Sequence, residues 1–493
     1  MPRPLRFVVL ATLWALSSTP ALADTLSEPG TAPNPASPPI PLTLDSALRL
    51  AQARSLQLPA QDAAATAARQ AAVAAGQRPD PVLRAGINNL PVTGPDRFSV
   101  ARDFMTMRSV GVAQEFTRAA KLKARSARFE READVAQAGR DLALAGLRRD
   151  TALAWLERHF QQRMLGLLSA QRDEARLLID AADSAYRSGR GAQADVFAAR
   201  QSVAQWDDRL ALVRRQLSTA ITQLTRWVGP AGADALADPP ALDRAGLHAL
   251  GLHPPGPQPQ QPIAPDPDLQ PLATQLAQHP QTLLLARREA VALADVELAR
   301  ANQQPDISAE LMLSQRGSAY SQMVSLNLSL PWPWDRAQRQ DRELAARLAV
   351  VEQLRAEREE ADRGHLAEAL AMLQAWQGER ERLALHDQVL LPLAAERTRA
   401  ALAAYRGGST ALATVLDARR SEIDARMDRL RIEMDAARGW AQIQYLLPPG
   451  PDGALADRPA MPGVVPTGVP TVVPTVVPTT ALIASPTPKE SPQ

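Results

Sequence analysis

The chain repeats itself, and an internal repeat restricts architecture more than any local propensity does. Ala185-Tyr186-Arg187-Ser188-Gly189, continued by Ala192, Val196 and Arg200, returns as Ala404-Tyr405-Arg406-Gly407-Gly408 with Ala411, Val415 and Arg419 in the same register. Upstream, Ala75 to Pro79-Asp80 answers Ala301 to Pro305-Asp306. These matches define two copies, 42–229 and 269–447, separated by a Pro-rich linker at 230–268.

Both copies order their elements alike. In the first, Thr43 is placed to cap a helix with Asp45 in its first turn, which runs to about Gly76 and stops before Pro79 and Pro81. Strands are expected over about 82–90 and 106–116, around a loop holding Pro91, Gly94 and Pro95. A helix from about Arg118 to Ala185 carries Leu153, Leu156, Phe160, Met164 and Leu167 at three- and four-residue spacing. After a break at Tyr186 to Gly191, another helix reaches about Trp227. The second copy repeats this with strands at about 307–313 and 321–330 and helices at about 338–405 and 411–445. A continuous helix of such length extends ~100 Å, far beyond any ordinary globular core. Its apolar stripe needs a coiled-coil partner or neighbouring copies to cover it.

The flanks point to export. Arg3 and Arg6, the apolar run Phe7 to Leu16 and Ala21-Leu22-Ala23 form a cleavable signal peptide over 1–23, followed by a Pro-rich segment at 24–41. No later stretch holds the ~20 apolar residues of a membrane-spanning helix. The absence of cysteine removes disulfides, thiolate metal sites and a lipid-bearing N-terminal cysteine, so a lipoprotein is not expected. A net charge of only +2 offers no basic field for nucleic acid. Residues 448–493, rich in Pro, Thr and Val, read as a disordered tail.

The strands decide between a soluble coiled coil and something else. Val324, Leu326, Leu328 and Leu330 alternate with Ser325, Asn327 and Ser329, and Ile307, Ala309, Leu311 and Leu313 alternate with Ser308, Glu310 and Met312. Val110, Val112 and Phe116 oppose Ser109, Gly111 and Glu115 more weakly. Alternation of this kind marks a strand between lipid and a watery lumen, and equally a half-buried strand of a soluble sheet. Four strands do not close a barrel, so a membrane reading requires several copies to share one. Trp332 and Trp334 then suit an interfacial aromatic belt, or simply pack in a Pro-rich turn.

The order helix, two strands, long helix, break, helix, given twice over 42–447, resembles the TolC-like outer-membrane factors of tripartite efflux pumps. Supporting motifs are Leu42-Thr43-Leu44-Asp45-Ser46-Ala47-Leu48, Val110 to Phe116 leading into Lys121-Leu122, and the two breaks. Thr117 stands where the family often has Pro, and Ser55-Leu56 replaces a usual Asn-Pro that His279-Pro280 partly keeps. The resemblance implies a mainly α fold with a small β part. It also implies a homotrimer with a long periplasmic helical tunnel and a twelve-stranded barrel in outer-membrane lipid. Partners implied are a periplasmic adaptor and an inner-membrane transporter, with passive conduction and no cofactor. The helix breaks, Gly189-Arg190 and Gly408-Ser409, become adaptor-contact tips, although glycine at a sharp reversal is also plain turn chemistry. Matching from Tyr405 places Asp417 and Thr414 at a tunnel constriction, where Asp417 would contribute to an acidic ring; a solvated helical Asp reads the same way.

Asn88-Asn89-Leu90-Pro91 and Asp103 to Arg108 look most like the heavy-metal branch of that family, paired with resistance-nodulation-division transporters. Met105 and Met107 offer thioethers for a soft cation, yet two Met residues usually only pack. The histidines, His159, His248, His253, His279, His365 and His386, lack ligand spacing, so no metal site is assigned. No phosphate loop, HExxH or serine elbow is present, and an enzyme is not expected. The remaining alternatives are a duct for drugs or secreted polypeptides, and a soluble periplasmic coiled-coil adaptor.

Overall fold

The computed structural model describes residues 41–240, 272, 274 and 276–446. The signal peptide, residues 24–40, linker residues 241–268 and the tail at 448–493 lie outside the described residues. Two helices, α1 (Leu44–Arg54) and α2 (Gln57–Ala75), lead to strands β1 (Val82–Asn88) and β2 (Met107–Phe116). The long helix α3 (Ala119–Arg187) and the returning α4 (Gln193–Val228) follow. The second half gives α5 (Pro280–Asn302), β3 (Ile307–Gln315), β4 (Met323–Ser329) and α6 (Gln340–Leu385). It closes with α7 (Leu391–Arg406) and α8 (Leu412–Leu446).

Two helices expected to be uninterrupted are not. The first breaks at Ser55, which is extended (φ −63, ψ 125). Pro59 explains this, because its ring would strike the carbonyl four residues back, that of Ser55, if the helix continued. In the second half, His386–Leu390 widens into a π turn between α6 and α7. Pro392 lies just beyond and cannot donate, so the extra residue of a π turn absorbs the missing hydrogen bond and the chain stays helical. The strands also differ at their ends. β1 stops at Asn88 because Asn89 is left-handed (φ 56), and β3 runs on to Gln315.

Packing follows the stripe read from sequence. Trp155, Leu156, Phe160, Met164 and Leu168 of α3 are buried in one core with Trp206, Leu210 and Leu224 of α4 and Ile423, Met427 and Leu430 of α8. Leu153 and Leu167 lie at its margin. The Arg158 guanidinium, also buried, donates to the carbonyls of Gly232 (2.6 Å), Ala233 (3.2 Å) and Asp234. That contact fixes the 3₁₀ turn Gly229–Ala233 against α3. Leu42 pairs with Leu236 next to it, and Trp155 Nε1 donates to the Leu42 carbonyl (3.1 Å). Residues 230–237, placed by sequence in the linker, are therefore folded onto the first half, tying its two ends together.

At the start of α5, Pro280 occupies the first turn and His279 serves as N-cap, its Nδ1 accepting from the Gln281 N–H (3.2 Å). The buried His279 ring faces His365 at 5.4 Å between centroids. Burial, then His365 and Arg149, lower its pKa from 6.5 to about 4. A depressed histidine contributes stability that is complete above pH 6.5 and is lost as pH falls toward 4, where protonation also abolishes the cap. His279→Asn keeps a capping oxygen that does not titrate. Thermal melts of that variant followed by circular dichroism should show a flatter acid-side decline between these pH values than the parent chain.

Candidate functional site

The four strands form one antiparallel sheet in the order β1-β2-β3-β4, so the two halves of the chain meet at the β2–β3 pairing. Registers decide which side chains share a face. Val110 lies between Ala85 and Leu313, Val112 between Leu83 and Leu311, and Leu326 pairs with Leu311. Side chains that pair across strands point the same way. Leu83, Ile87, Val110, Val112, Phe116, Ile307, Leu311, Leu313, Val324, Leu326 and Leu328 thus form one continuous surface. All are exposed, Leu83 to 72%, Val324 to 70% and Leu328 to 71%. At ~1.5–3 kcal/mol for each large apolar side chain, burying this face is worth on the order of 20 kcal/mol, more than the net stability of a typical domain.

The opposite face is more polar and carries side-chain contacts between strands. Arg84 of β1 reaches Glu310 of β3 at 3.2 Å, passing over β2 where Gly111 has no side chain to obstruct it. Gly111 is required for a second reason, since a Cβ there would lie 2.7 Å from the Leu311 carbonyl. Asn88 donates to Ser109 (2.9 Å), and Ser109 and Ser314 are buried. β1 and β4 are the ends of the sheet, each with one edge unpaired among the described residues.

Below the sheet, Lys121 at the start of α3 pairs with Asp306 before β3 (2.6 Å) and also donates to the Gln304 carbonyl (3.2 Å). The Arg118 N–H donates to the same Asp306 carboxylate (3.1 Å). Burial alone would push Asp306 up; the Lys121 ammonium and that N–H hold it below the usual carboxylate range. Trp332 and Trp334 stand just after β4, exposed to 76% and 90%.

The other candidates lie far along α3, whose 69 residues span ~100 Å. Gly189 is left-handed (φ +68) and Gly408 likewise (φ +71). At the first, the Gly189 N–H donates to the Tyr186 carbonyl (3.0 Å) and the Arg190 N–H to the Ala185 carbonyl (2.9 Å). At the second, Gly408 donates to Tyr405 (3.0 Å) and Ser409 to Ala404 (2.9 Å). Both are Schellman closures with the same offsets. The two reversals share a small core of Ala182, Val196, Ala199, Leu412 and Val415. Gly189, Arg190, Gly408 and Ser409 are all exposed around it.

On α8, Leu412 and Val415 belong to that core and Ala418 is buried one turn on, which leaves Thr414 and Asp417 together on the exposed side. Asp417 makes no ion pair among the described residues. Met105 is exposed and Met107 half-buried, at the end of β2 and the loop before it. Among the described residues no group of three or more His, Asp or Glu gathers as a metal site.

No helix of the described residues is long and apolar enough to cross a membrane. Residues 272–447 match the Outer membrane efflux protein family. Over that stretch the chain is similar to the family. The outer-membrane channel OprN superposes with a TM-score of 0.66 at 18% identity, covering 82% of this chain and 89% of that one. CusC, whose structures concern folding and transmembrane channel formation, gives 0.66 at 15%, over 81% and 90%. VceC of Vibrio cholerae gives 0.63 at 16%, over 82% and 95%. No curated protein matches by sequence. These likenesses establish the fold, mainly α with a small antiparallel β part, and bear out the family resemblance read from sequence.

The sheet was legible in outline, but Lys121–Asp306 and Arg84–Glu310 were not, since each joins residues far apart in the chain without a local signal. At the reversals the glycine φ values have a direct consequence. Nothing lies within 4 Å of a Cβ added at Gly189 or Gly408, so substitution there carries only the backbone penalty. Gly189→Val and Gly408→Val should each cost ~1–2 kcal/mol, with Asn much better tolerated, read as faster limited proteolysis at the reversal.

Proposed function

We propose that three copies of this chain unite their sheets into a twelve-stranded barrel in the outer membrane. The helices would continue as a periplasmic tunnel, making the whole a passive exit duct of a tripartite efflux pump. The observation that carries this reading is the sheet itself, with one continuous exposed apolar face, one more polar face and two edges unpaired among the described residues. Lipid covers such a face, and the lumen accepts the other. Edges are not tolerated in hydrocarbon, where each unpaired peptide group costs several kcal/mol, so β4 of one copy pairs with β1 of the next. The exposed apolar span from Val110 to Phe116 rises ~20 Å, close to the band of barrel proteins.

Other parts of the reading follow from this placement. The signal peptide delivers the chain across the inner membrane, and Trp332 and Trp334 sit at the periplasmic rim of the bilayer. The paired reversals at Gly189-Arg190 and Gly408-Ser409 form the tunnel's far end, where an adaptor linked to an inner-membrane transporter docks. Asp417, with Thr414 beside it, lines the constriction there. Supporting the cargo assignment to heavy-metal cations, with a resistance-nodulation-division transporter as partner, is the sequence around Asn88 to Pro91 and Asp103 to Arg108. Conduction needs no catalytic group.

Two adjacent residues test the membrane face. Leu326→Arg places a charge toward lipid and should cost ~2–4 kcal/mol, read as loss of the detergent-extracted trimer by size-exclusion light scattering. Asn327→Arg, toward the lumen, should leave the trimer intact; equal behaviour of both variants would remove the barrel reading. For cargo, deletion of the gene should raise sensitivity to copper, silver, zinc, cobalt or cadmium but not to drugs. Asp417→Asn should restore tolerance only in part and lower cation selectivity in planar bilayers.

A further inference from the structure

The strand registers sort the methionines as they sort polar from apolar side chains. The face proposed to meet lipid carries its large apolar side chains as leucine, isoleucine, valine and phenylalanine, with no methionine among them. On the opposite face, the rows Gly86-Ser109-Ser314-Met323 and Arg84-Gly111-Met312-Ser325 set two methionines among serines, and Met107 pairs with Asn88 in the next row. Apart from Val82, these three are the large apolar side chains on that face of the ladder. Methionine answers neither demand made there. A strand favours branched or aromatic side chains and water favours polar ones, whereas a thioether is unbranched at Cβ and only a weak acceptor. What it adds is a soft, polarisable sulfur.

Met312 and Met323 are diagonal neighbours on β3 and β4, since Met312 pairs with Ser325 and Met323 with Ser314. Diagonal positions lie ~7–8 Å apart, a gap that two long side chains span. Met312 is half-buried and Met323 is exposed to 38%, so both are open to solvent. The nearest guanidinium does not repel a cation, because Arg84, in the row of Met312, is paired with Glu310 at 3.2 Å. Met107 differs. Continued past Arg108↔Gln315, the β2–β3 register sets it opposite Arg316, which has no carboxylate partner among the described residues and lies over the Tyr320 ring (5.4 Å). We propose that Met312 and Met323 form a two-thioether site for a soft monovalent cation, copper(I) or silver(I), on the lumen wall of the duct. Thioethers select such cations over zinc or the alkali metals, and two neutral ligands hold one weakly enough to let it go, as conduction requires. The assignment rests on the duct reading and narrows its cargo.

Silver(I), soft and stable in air, is the probe. In methyl NMR of the full mature chain in detergent, labelled at its methionine methyls, the Met312 and Met323 resonances should move together as silver nitrate is added. Neither should move with potassium or zinc. Met312→Leu and Met323→Leu nearly conserve side-chain volume, and each should weaken silver binding, read at the remaining methionine, at least about tenfold. Met107→Leu, on the same face, should leave it unchanged. Unmoved resonances, an equal response to zinc, or a single leucine variant that binds silver like the parent would overturn the pair. In planar bilayers, silver should lower the potassium current of the parent and not that of Met312→Leu; binding by NMR without this block would overturn the placement on the lumen wall. A chain that forms no trimer and carries no current refutes the duct reading and the cargo assignment with it, while the methyl titration still decides whether the two sulfurs share a cation.

Discussion

One constraint governs the molecule: a sheet of four strands that is apolar and exposed on one face cannot rest in water. Its eleven large apolar side chains amount to a penalty larger than a domain's usual net stability if left wet. Its edges cannot rest in lipid either, because peptide groups there would lack partners. The closed barrel proposed above would meet both demands. The polar face is arranged to allow it, with Arg84–Glu310 and Asn88–Ser109 satisfied within the protomer. In the proposed barrel it would face the lumen with these groups already paired.

The helices answer the same problem differently. α3 buries Trp155, Leu156, Phe160 and Leu168 against α4 and α8, so its middle is packed by residues of both halves. Toward each end the packing thins to small clusters, such as the one shared by the two reversals. Buried polar contacts hold the joints between these regions. Lys121–Asp306 locks the sheet's base to α3, and Arg158 locks the end of the first half to the same helix. Each joint links segments that diverge in sequence, which keeps sheet and helices in one frame.

Much of this was visible before any coordinates. The duplicated Tyr-x-x-Gly break announced two reversals of one geometry, since only glycine adopts φ near +70° without strain. Alternation in β3 and β4 announced a two-faced sheet. Other features were hidden because they depend on residues remote in the chain. Pro59 and Pro392 were in plain view, yet whether a proline breaks a helix or only widens it depends on what packs around it. At Ser55 the chain turned, and at His386–Leu390 it stayed helical. The role of His279 as a cap was equally unreadable, because its partner is a backbone N–H whose direction the local fold sets.

By itself the sequence determined the kinds of element, their order and their duplication, because hydrophobic period and turn residues act locally. Tertiary structure alone decided that four strands lie in the order β1-β2-β3-β4 and that their apolar sides coincide. Register is a relation between strands, and a shift of one residue in the β2–β3 pairing would have turned Leu311 and Leu313 to the other face. It also decided which charges are spent and which remain free, since a lysine such as Lys121 reads as a solvated side chain until Asp306, 185 residues away, arrives beside it.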